Sequence, residues 1–270
     1  MKNIHKTAIV EEGAQVAEDV EIGPFSIIGP NVKIDSGTKI GPYVQIKNRV
    51  EIGKNNQIFH GTCIGENGQD LTFNNPDAKI VIGNDNVIRE MVTIHQPAKS
   101  GNITTVGDKN YIMCNVHMGH DVVLGNNNII ATNTALGGYV QLENNVFLSG
   151  LIGVHQFVHI GSYAIVGAGT PTLMDVPPYC MMAGSPGVIT GLNMIGMKRA
   201  KFSKEKIRVI KDIYKITFMR KTPPAKAHDE LEKNFLPQYS VDTEEHSVIK
   251  HYISFLRSCK RGIAPRHFSI

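Results

Sequence analysis

The segment CNVHMGHDVVLG carries two histidines, His117 and His120, with Asp121 directly after the second. A carboxylate beside an imidazole fixes its tautomer and stabilises the imidazolium formed on proton uptake. Eighteen residues beyond His120 stands Gly138, and 18 further on stands Gln156. A base, a glycine with an accessible backbone N–H and an amide side chain are parts suited to acyl transfer. The base deprotonates a nucleophile and the N–H steadies the tetrahedral oxyanion. The same residues also fit a polar outer face with no chemistry. They become a site only if the chain returns to one place every 18 residues.

An internal repeat supplies that return. An aliphatic residue recurs every six positions: Ile4, Val10, Val16, Ile22, Ile28, and so on without a slip to Ile64. The phase resumes at Ile82, Ile88 and Ile94 and runs again from Val106 through Met118 to Val166. Four residues after each sits a small, β-branched or Asn residue. A helix needs a period near 3.6 and a strand a period near 2, so period six fits neither as one long element. It fits a short strand and a corner, repeated. Three such faces close a triangular coil, each coil pairing with the next at roughly 4.8 Å. Glycine often follows the aliphatic residue, as at Gly23, Gly29, Gly41, Gly53 and Gly125. There the corner is expected to need an unusual backbone angle. His120, second after the inward Met118, should point away from the core.

Two polar, turn-rich stretches interrupt the repeat, GENGQDLTFNNPDAKIV and HQPAKSGNITT. They read as loops thrown out of the solenoid at about 66–80 and 96–105, where binding groups or plain insertions are equally at home. The coil is expected over 1–189 and a small helical domain over 190–270. In the latter, Ser203 can cap a helix with Glu205 in its first turn and an apolar face through Ile207, Ile210, Ile213, Tyr214 and Thr217. Pro223-Pro224 breaks it, and HDELEKNF and SVIKHYISFLRSCK read as further helices.

The chain has 270 residues, 26 Gly, no Trp and a formal charge of +4. From residue 190 onward 17 Lys and Arg face 8 Asp and Glu, a net +9, so the preceding residues carry −5. A basic tail fits nucleic acid, a membrane surface, an acidic protein partner or simply a solvated helical surface. Cys63, Cys114, Cys180 and Cys259 lack metal or disulfide spacing and read as free thiols in a reducing compartment. The N-terminus shows no apolar leader, and the default is a soluble cytoplasmic protein. His5, His228, His246, His251 and His267 have no motif around them and read as surface residues.

The repeat from 4 to about 170 resembles the hexapeptide-repeat acyltransferases. That resemblance implies a left-handed parallel β-helix, against the usual right-handed crossover rule. The segments GENGQDLTF, IREMVTIH, HMGHDVVLGN, VHQFVHIG, DVPPYCMMAGSP and GLNMIGMKRAKFS narrow it to the UDP-N-acetylglucosamine O-acyltransferase family. In that family a 3-hydroxyacyl group passes from acyl carrier protein to the 3-position of the nucleotide sugar, the first committed step of lipid A synthesis. The resemblance implies His120 as general base, Asp121 as its orienting partner and Gly138 as the oxyanion N–H. It implies Asp70 and His117 at the sugar. Gln156, Asn193 and Arg199 match nucleotide or phosphate contacts, His95 and His155 fall on further pocket positions, and Ala168 matches the ruler that ends the acyl groove. It also implies a homotrimer with active sites between subunits and a cytoplasmic enzyme. No resident cofactor, metal, nucleic acid or stable membrane insertion is implied, since the acyl donor rides on the phosphopantetheine of the carrier. The chain departs from the best-known members at four places. It has Thr72 for a Lys, Tyr139 for a His, and Ile195 and Ala200 for a Glu and an Arg. These departures bear on the acceptor sugar, UDP-N-acetylglucosamine or its 3-amino analogue, more than on the reaction.

Three rivals stand beside this reading. Another hexapeptide enzyme would change donor or acceptor: a sugar-nucleotide acyltransferase using acyl-CoA, or the next acyltransferase of the pathway. The latter normally has an added N-terminal domain, whereas the repeats here begin at Ile4. A solenoid like the γ-carbonic anhydrases would need three histidines converging on a metal, with His117 and His120 as candidates. A structural or ice-binding solenoid would show one flat repetitive face, and the outer positions here are irregular.

Overall fold

The structure is a computed structural model that describes residues 3–75, 77–220 and 223–266; His267 lies outside the described residues. Most of the chain is a parallel β-helix, and most of its strands are two residues long. Its three sheets hold 11, 8 and 8 strands among the described residues. The chain visits them in turn: Asn3–Ile4 starts the first, Ile9–Val10 the second and Gln15–Val16 the third. Register advances by 18 residues per coil, as in Ile22 opposite Ile40, Met118 opposite Leu136 and Leu124 opposite Leu142. The second residue of each strand turns inward, so Ile22, Ile28, Ile34, Ile40 and Ile46 stack as one buried column per sheet. Full burial of each such side chain contributes roughly 1.5–3 kcal/mol.

The Asn positions of the repeat form a second inner column. Asn56 Oδ1 accepts from the Asn86 backbone N–H and side-chain amide, both at 3.0 Å. Asn86 does the same for Asn110, and Asn110 accepts from the Asn128 N–H. Amides can enter the core here because each coil supplies the donors the previous one needs.

The corner glycines have a different cause from the one expected. Gly23, Gly41, Gly53 and Gly125 do not adopt positive φ; the left-handed residue comes two positions later, at Phe25, Tyr43, Asn55 and Asn127. A Cβ on Gly23 would instead lie 2.7 Å from the backbone carbonyl carbon of Gly41 in the next coil. Glycine is required by inter-coil approach. Between the glycine and the left-handed residue, the turn's first residue donates no ladder bond, which is why Pro24 and Pro42 are tolerated there.

Both expected loops leave the solenoid between its second and third sheets. The first links Cys63–Glu66 to Lys79–Ile82, and the second links Thr93–His95 to Ile103–Val106. After the antiparallel pair Cys180–Ala183 and Val188–Leu192, the chain turns helical. Lys204–Phe218 starts at the Ser203 cap as expected, and Glu244–Ser258 starts one turn earlier than expected, capped by Thr243. HDELEKNF begins helical at Ala227–Glu230 and widens to a π turn over Leu231–Phe235.

One polar cluster joins coil to helices. Glu143 Oε2 accepts from the Ser162 N–H and hydroxyl at 2.8 Å and from His251 Nε2 at 2.9 Å, while Oε1 lies 3.2 Å from His159 Nε2. His251 is therefore part of the interface between coil and helix, not the plain surface residue expected.

Candidate active site

His120, Gly138 and Gln156 stand at the same turn position of successive coils, on the corner between the second and third sheets. Tyr139 N–H donates to the His120 carbonyl and Phe157 N–H to that of Gly138, at 2.9 and 3.0 Å. The expected vertical strip is present. His120 is not an open outward side chain, however; it is 8% exposed. The first loop covers it, with Gly68 so close that a Cβ would lie 3.0 Å from the His120 Cβ.

His120 Nδ1 bonds Asp121 Oδ2 at 2.8 Å. A carboxylate only accepts, so the neutral imidazole carries its proton on Nδ1 and leaves Nε2 able to take one. Asp121 Oδ2 also accepts from the Ala98 N–H at 2.9 Å, and Oδ1 from Asn102 Nδ2 at 2.6 Å. The second loop thus supplies two of the three donors on this carboxylate. Gly138 meets His120 from the other side. A Cβ there would lie 2.5 Å from the imidazole Cε1. Its N–H occupies the turn position without a ladder bond and meets no acceptor among the described residues. A base with a free ring nitrogen over an unengaged N–H can deprotonate a nucleophile and hold an oxyanion.

Polar groups surround this pair. Asp70, in the first loop, accepts from the Thr72 hydroxyl at 2.6 Å and N–H at 2.7 Å. These bonds hold its carboxyl below the usual range, and the nearby His120 and Lys99 act in the same direction. Thr72 therefore serves the Asp70 carboxylate directly. His95 and His117 lie side by side, ring centroids 5.1 Å apart, with His95 Nδ1 on the Asn67 carbonyl and His117 Nδ1 on the Thr93 hydroxyl. Burial and the neighbouring His95 push the His117 imidazole below its ordinary value, favouring the neutral ring. Tyr139 stands edge-on to His120 at 5.2 Å and stacks on Phe157 at 4.7 Å. His155 bonds the Gln156 carbonyl at the top of the strip.

Asn193, Arg199 and Ala168 are not brought to this strip within one chain. Asn193 caps the Met194–Arg199 helix by accepting from the Gly196 N–H, and its amide donates to the Tyr163 carbonyl. With Arg199, Ile195 and Ala200 it edges a cleft of about 730 Å³ on the first sheet, floored by Ile129, Phe147 and Ile165. Ala168 is exposed at the corner between the first and second sheets. The sequence reading also passed over Gly68, Ala98, Asn102 and the amide of Asn75, which donates to the carbonyls of Pro97 and Lys99 and ties the loops together. Loop residues have left the repeat, so the period that located Gly138 is silent about them.

Residues 103–138 match the bacterial transferase hexapeptide model, and 175–264 match the second domain of UDP-N-acetylglucosamine O-acyltransferase. The acyl-[acyl-carrier-protein]–UDP-N-acetylglucosamine O-acyltransferase of Sulfurovum sp. is 42% identical over 264 residues, 97% of this chain and 98% of the relative. The like-named protein of Anaeromyxobacter sp. is 41% identical over 96% of this chain and 98% of its own length. Among solved structures, the UDP-N-acetylglucosamine acyltransferase of Francisella novicida superposes with a TM-score of 0.90 at 34% identity, covering 97% of this chain and 94% of its own. LpxA of Acinetobacter baumannii gives 0.90 at 35%, covering 97% and 100%. The coil is accordingly a left-handed parallel β-helix, and this chain belongs to the UDP-N-acetylglucosamine O-acyltransferase family.

Proposed function

We propose that the chain transfers a 3-hydroxyacyl group from the phosphopantetheine thioester of acyl carrier protein to the 3-position of UDP-N-acetylglucosamine or its 3-amino analogue. This would be the first step of lipid A biosynthesis, in the cytoplasm. The observation that carries the reading is the imidazole of His120, bonded to Asp121 through Nδ1 and lying against Gly138, whose N–H meets no acceptor among the described residues. His120 Nε2 takes the proton of the acceptor hydroxyl or amine as that atom attacks the thioester carbonyl. The Gly138 N–H stabilises the tetrahedral oxyanion. As the carbon–sulfur bond breaks, the departing thiolate recovers the proton from the imidazolium that Asp121 has stabilised.

Asp70, His95, His117, His155 and Gln156 would grip the acceptor on the strip side. Asn193 and Arg199, with the first-sheet cleft, form the other half of the nucleotide site. One chain holds these halves on different faces, which supports a homotrimer whose active sites lie between subunits, the cleft of one against the strip of the next. Ala168 would close the acyl groove. The carrier would dock on the helices. A groove of about 450 Å³ there is lined by Lys198, Lys204, Arg208, Lys211 and Lys215, with Asp212 the one acidic residue. Lys206, close by in sequence, is tied to Glu244. Acyl carrier proteins are acidic, so the groove offers one the complementary charge. Among the described residues no helix is long and apolar enough to cross a membrane, and no three His, Cys, Asp or Glu side chains are grouped to hold a metal.

Mass spectrometry of products from a panel of carrier thioesters, acyl-CoAs and UDP-sugars tests the assignment. A 3-O- or 3-N-acylated UDP-sugar formed from carrier thioesters is expected. Transfer from acyl-CoA alone would overturn the donor, and no acylated UDP-sugar from any pairing would overturn the function.

A further inference from the structure

We infer that Asn102 is a positioning residue for this reaction: it fixes the Asp121 carboxylate that orients His120. The inference rests on His120 being the base. Asn102 Nδ2 donates to Asp121 Oδ1 at 2.6 Å, the shortest of the three hydrogen bonds on a carboxylate that is only 2% exposed. The other oxygen serves the Ala98 N–H and the imidazole. The Asp121 backbone is held too, at φ 61°, with its N–H on the Thr104 hydroxyl at 3.1 Å. Every one of these contacts except the imidazole comes from the second loop or the strand it enters. The loop in turn is splinted by Asn75, whose amide bonds the carbonyls of Pro97 and Lys99 on either side of Ala98.

The chemistry explains why an amide stands there. A donor is needed to stop the carboxylate rotating away from the imidazole. A Lys or Arg donor would compete with the imidazolium for the Asp121 charge, whereas a neutral amide fixes the geometry and leaves the charge in place. The remaining polar groups near the dyad are Tyr139, from the next coil, and Asp70 and Lys99, from the two loops. Without the Asn102 bond, Oδ1 loses a donor, the dyad loosens, and the imidazole nearest the less satisfied carboxylate holds its proton more firmly.

The test is steady-state transfer from a carrier thioester, followed across pH. Asn102→Ala should lower kcat about tenfold, the worth of a hydrogen bond to a charged group. The KM for the UDP-sugar should stay within about twofold, because Asn102 acts on the base and not on the acceptor. The acid limb of the pH profile should move to higher pH in Asn102→Ala and further in Asn102→Asp, which sets a second carboxylate against Asp121. In an Asp121→Asn background, Asn102→Ala should add little, since the partner it acts through is already altered. Unchanged kcat and acid limb in Asn102→Ala, a loss confined to KM, or full additivity with Asp121→Asn would each overturn the inference. His120→Ala in the same assay separates the two ideas. If it stays active, the base assignment fails. If it is dead while Asn102→Ala behaves as wild type, only the role of Asn102 fails. Should Asn102→Asp not fold, the alanine variant and the double-mutant cycle decide.

Discussion

The imidazole of His120 occupies the space that a side chain on Gly138 would need, with an ideal Cβ 2.5 Å from Cε1 and 3.0 Å from Cδ2. Gly138 does not adopt positive φ, so alanine is allowed by the backbone and forbidden only by the histidine. Gly138→Ala keeps the N–H and should still abolish most activity by displacing the base. A misplacement of about 1 Å can cost roughly 10²-fold in rate. We expect kcat to fall by at least that, with stability changed by no more than about 1 kcal/mol. Near-normal kcat in the folded variant would mean that the ring can move without consequence.

Removing the base itself is the sharper test of chemistry. His120→Ala should lower kcat by about 10²–10⁴ while the coil persists, since the inner columns do not include this residue. Asp121→Asn should cost less, because His120 remains. It still turns one amide N–H₂ toward a donor, since Oδ1 faces Asn102 and Oδ2 faces both Ala98 and His120. Single-turnover kinetics with bound acceptor, read alongside circular dichroism, distinguish lost chemistry from lost fold.

Docking of the donor should follow the charge of the helical groove. At subsaturating carrier, kcat/KM should fall as salt rises, because steering between an acidic carrier and Lys198, Lys204, Arg208 and Lys211 is screened. Lys211→Glu should lower kcat/KM several-fold at low salt and leave kcat at saturating carrier near wild type. A flat salt response would move the docking surface elsewhere.

The cluster around Glu143 sets an acid limit on stability. Burial pushes this carboxyl up, but hydrogen bonds from His159, His251 and Ser162 outweigh burial and hold it far below the usual carboxylate range. A folded value below the unfolded one means the contribution is complete above about pH 4.3, the ordinary glutamate value, and fades as pH falls beneath it. Thermal unfolding of the wild type should therefore weaken more steeply between about pH 4.3 and pH 2 than that of Glu143→Gln. Parallel curves for the two proteins would remove Glu143 from the acid response.

The coil and the strip were legible because one coil is one hydrogen-bonding step of constant length. Ile22 and Ile40 pair at the same separation as Met118 and Leu136, so a count of 18 also finds Gly138 from His120. The helices were legible through Ser203, a local cap whose bond to the Lys206 N–H needs no tertiary partner. Gly23 was misread because close approach to Gly41 of the next coil leaves the same residue type in a sequence as a left-handed angle does. Asn102 was invisible because the loop that carries it folds across the corner at no fixed period. The gap between His120 and Asn193 was invisible for another reason: in the proposed arrangement the two residues face each other across a subunit boundary, which would impose no spacing within one chain.

Acyl length should be set by height along the coil. Ala168 is 48 residues beyond His120, or about 2.7 coils, which at roughly 4.8 Å per coil is about 13 Å of axial rise. In the proposed homotrimer, a threefold axis parallel to the coils would leave that height unchanged from one subunit to the next, so the distance would hold even with the two residues on different chains. An extended chain advances roughly 1.3 Å per methylene, given C–C bonds near 1.5 Å, so about ten methylenes fit between base and ruler. With the carbonyl and hydroxyl-bearing carbons added, this points to the lower part of a range of about twelve to sixteen carbons. Ala168 is exposed in the single chain and its turn is completed by Gly169 at φ 66°, so a larger side chain at 168 need not strain the coil. Ala168→Met should shift the preferred donor to shorter chains by about two to four carbons, since each methylene that cannot be buried forfeits roughly 0.8 kcal/mol. The KM for the UDP-sugar should not move. Competition between carrier thioesters of graded length, read by product mass, checks this directly; an unchanged length profile would place the end of the groove at another residue.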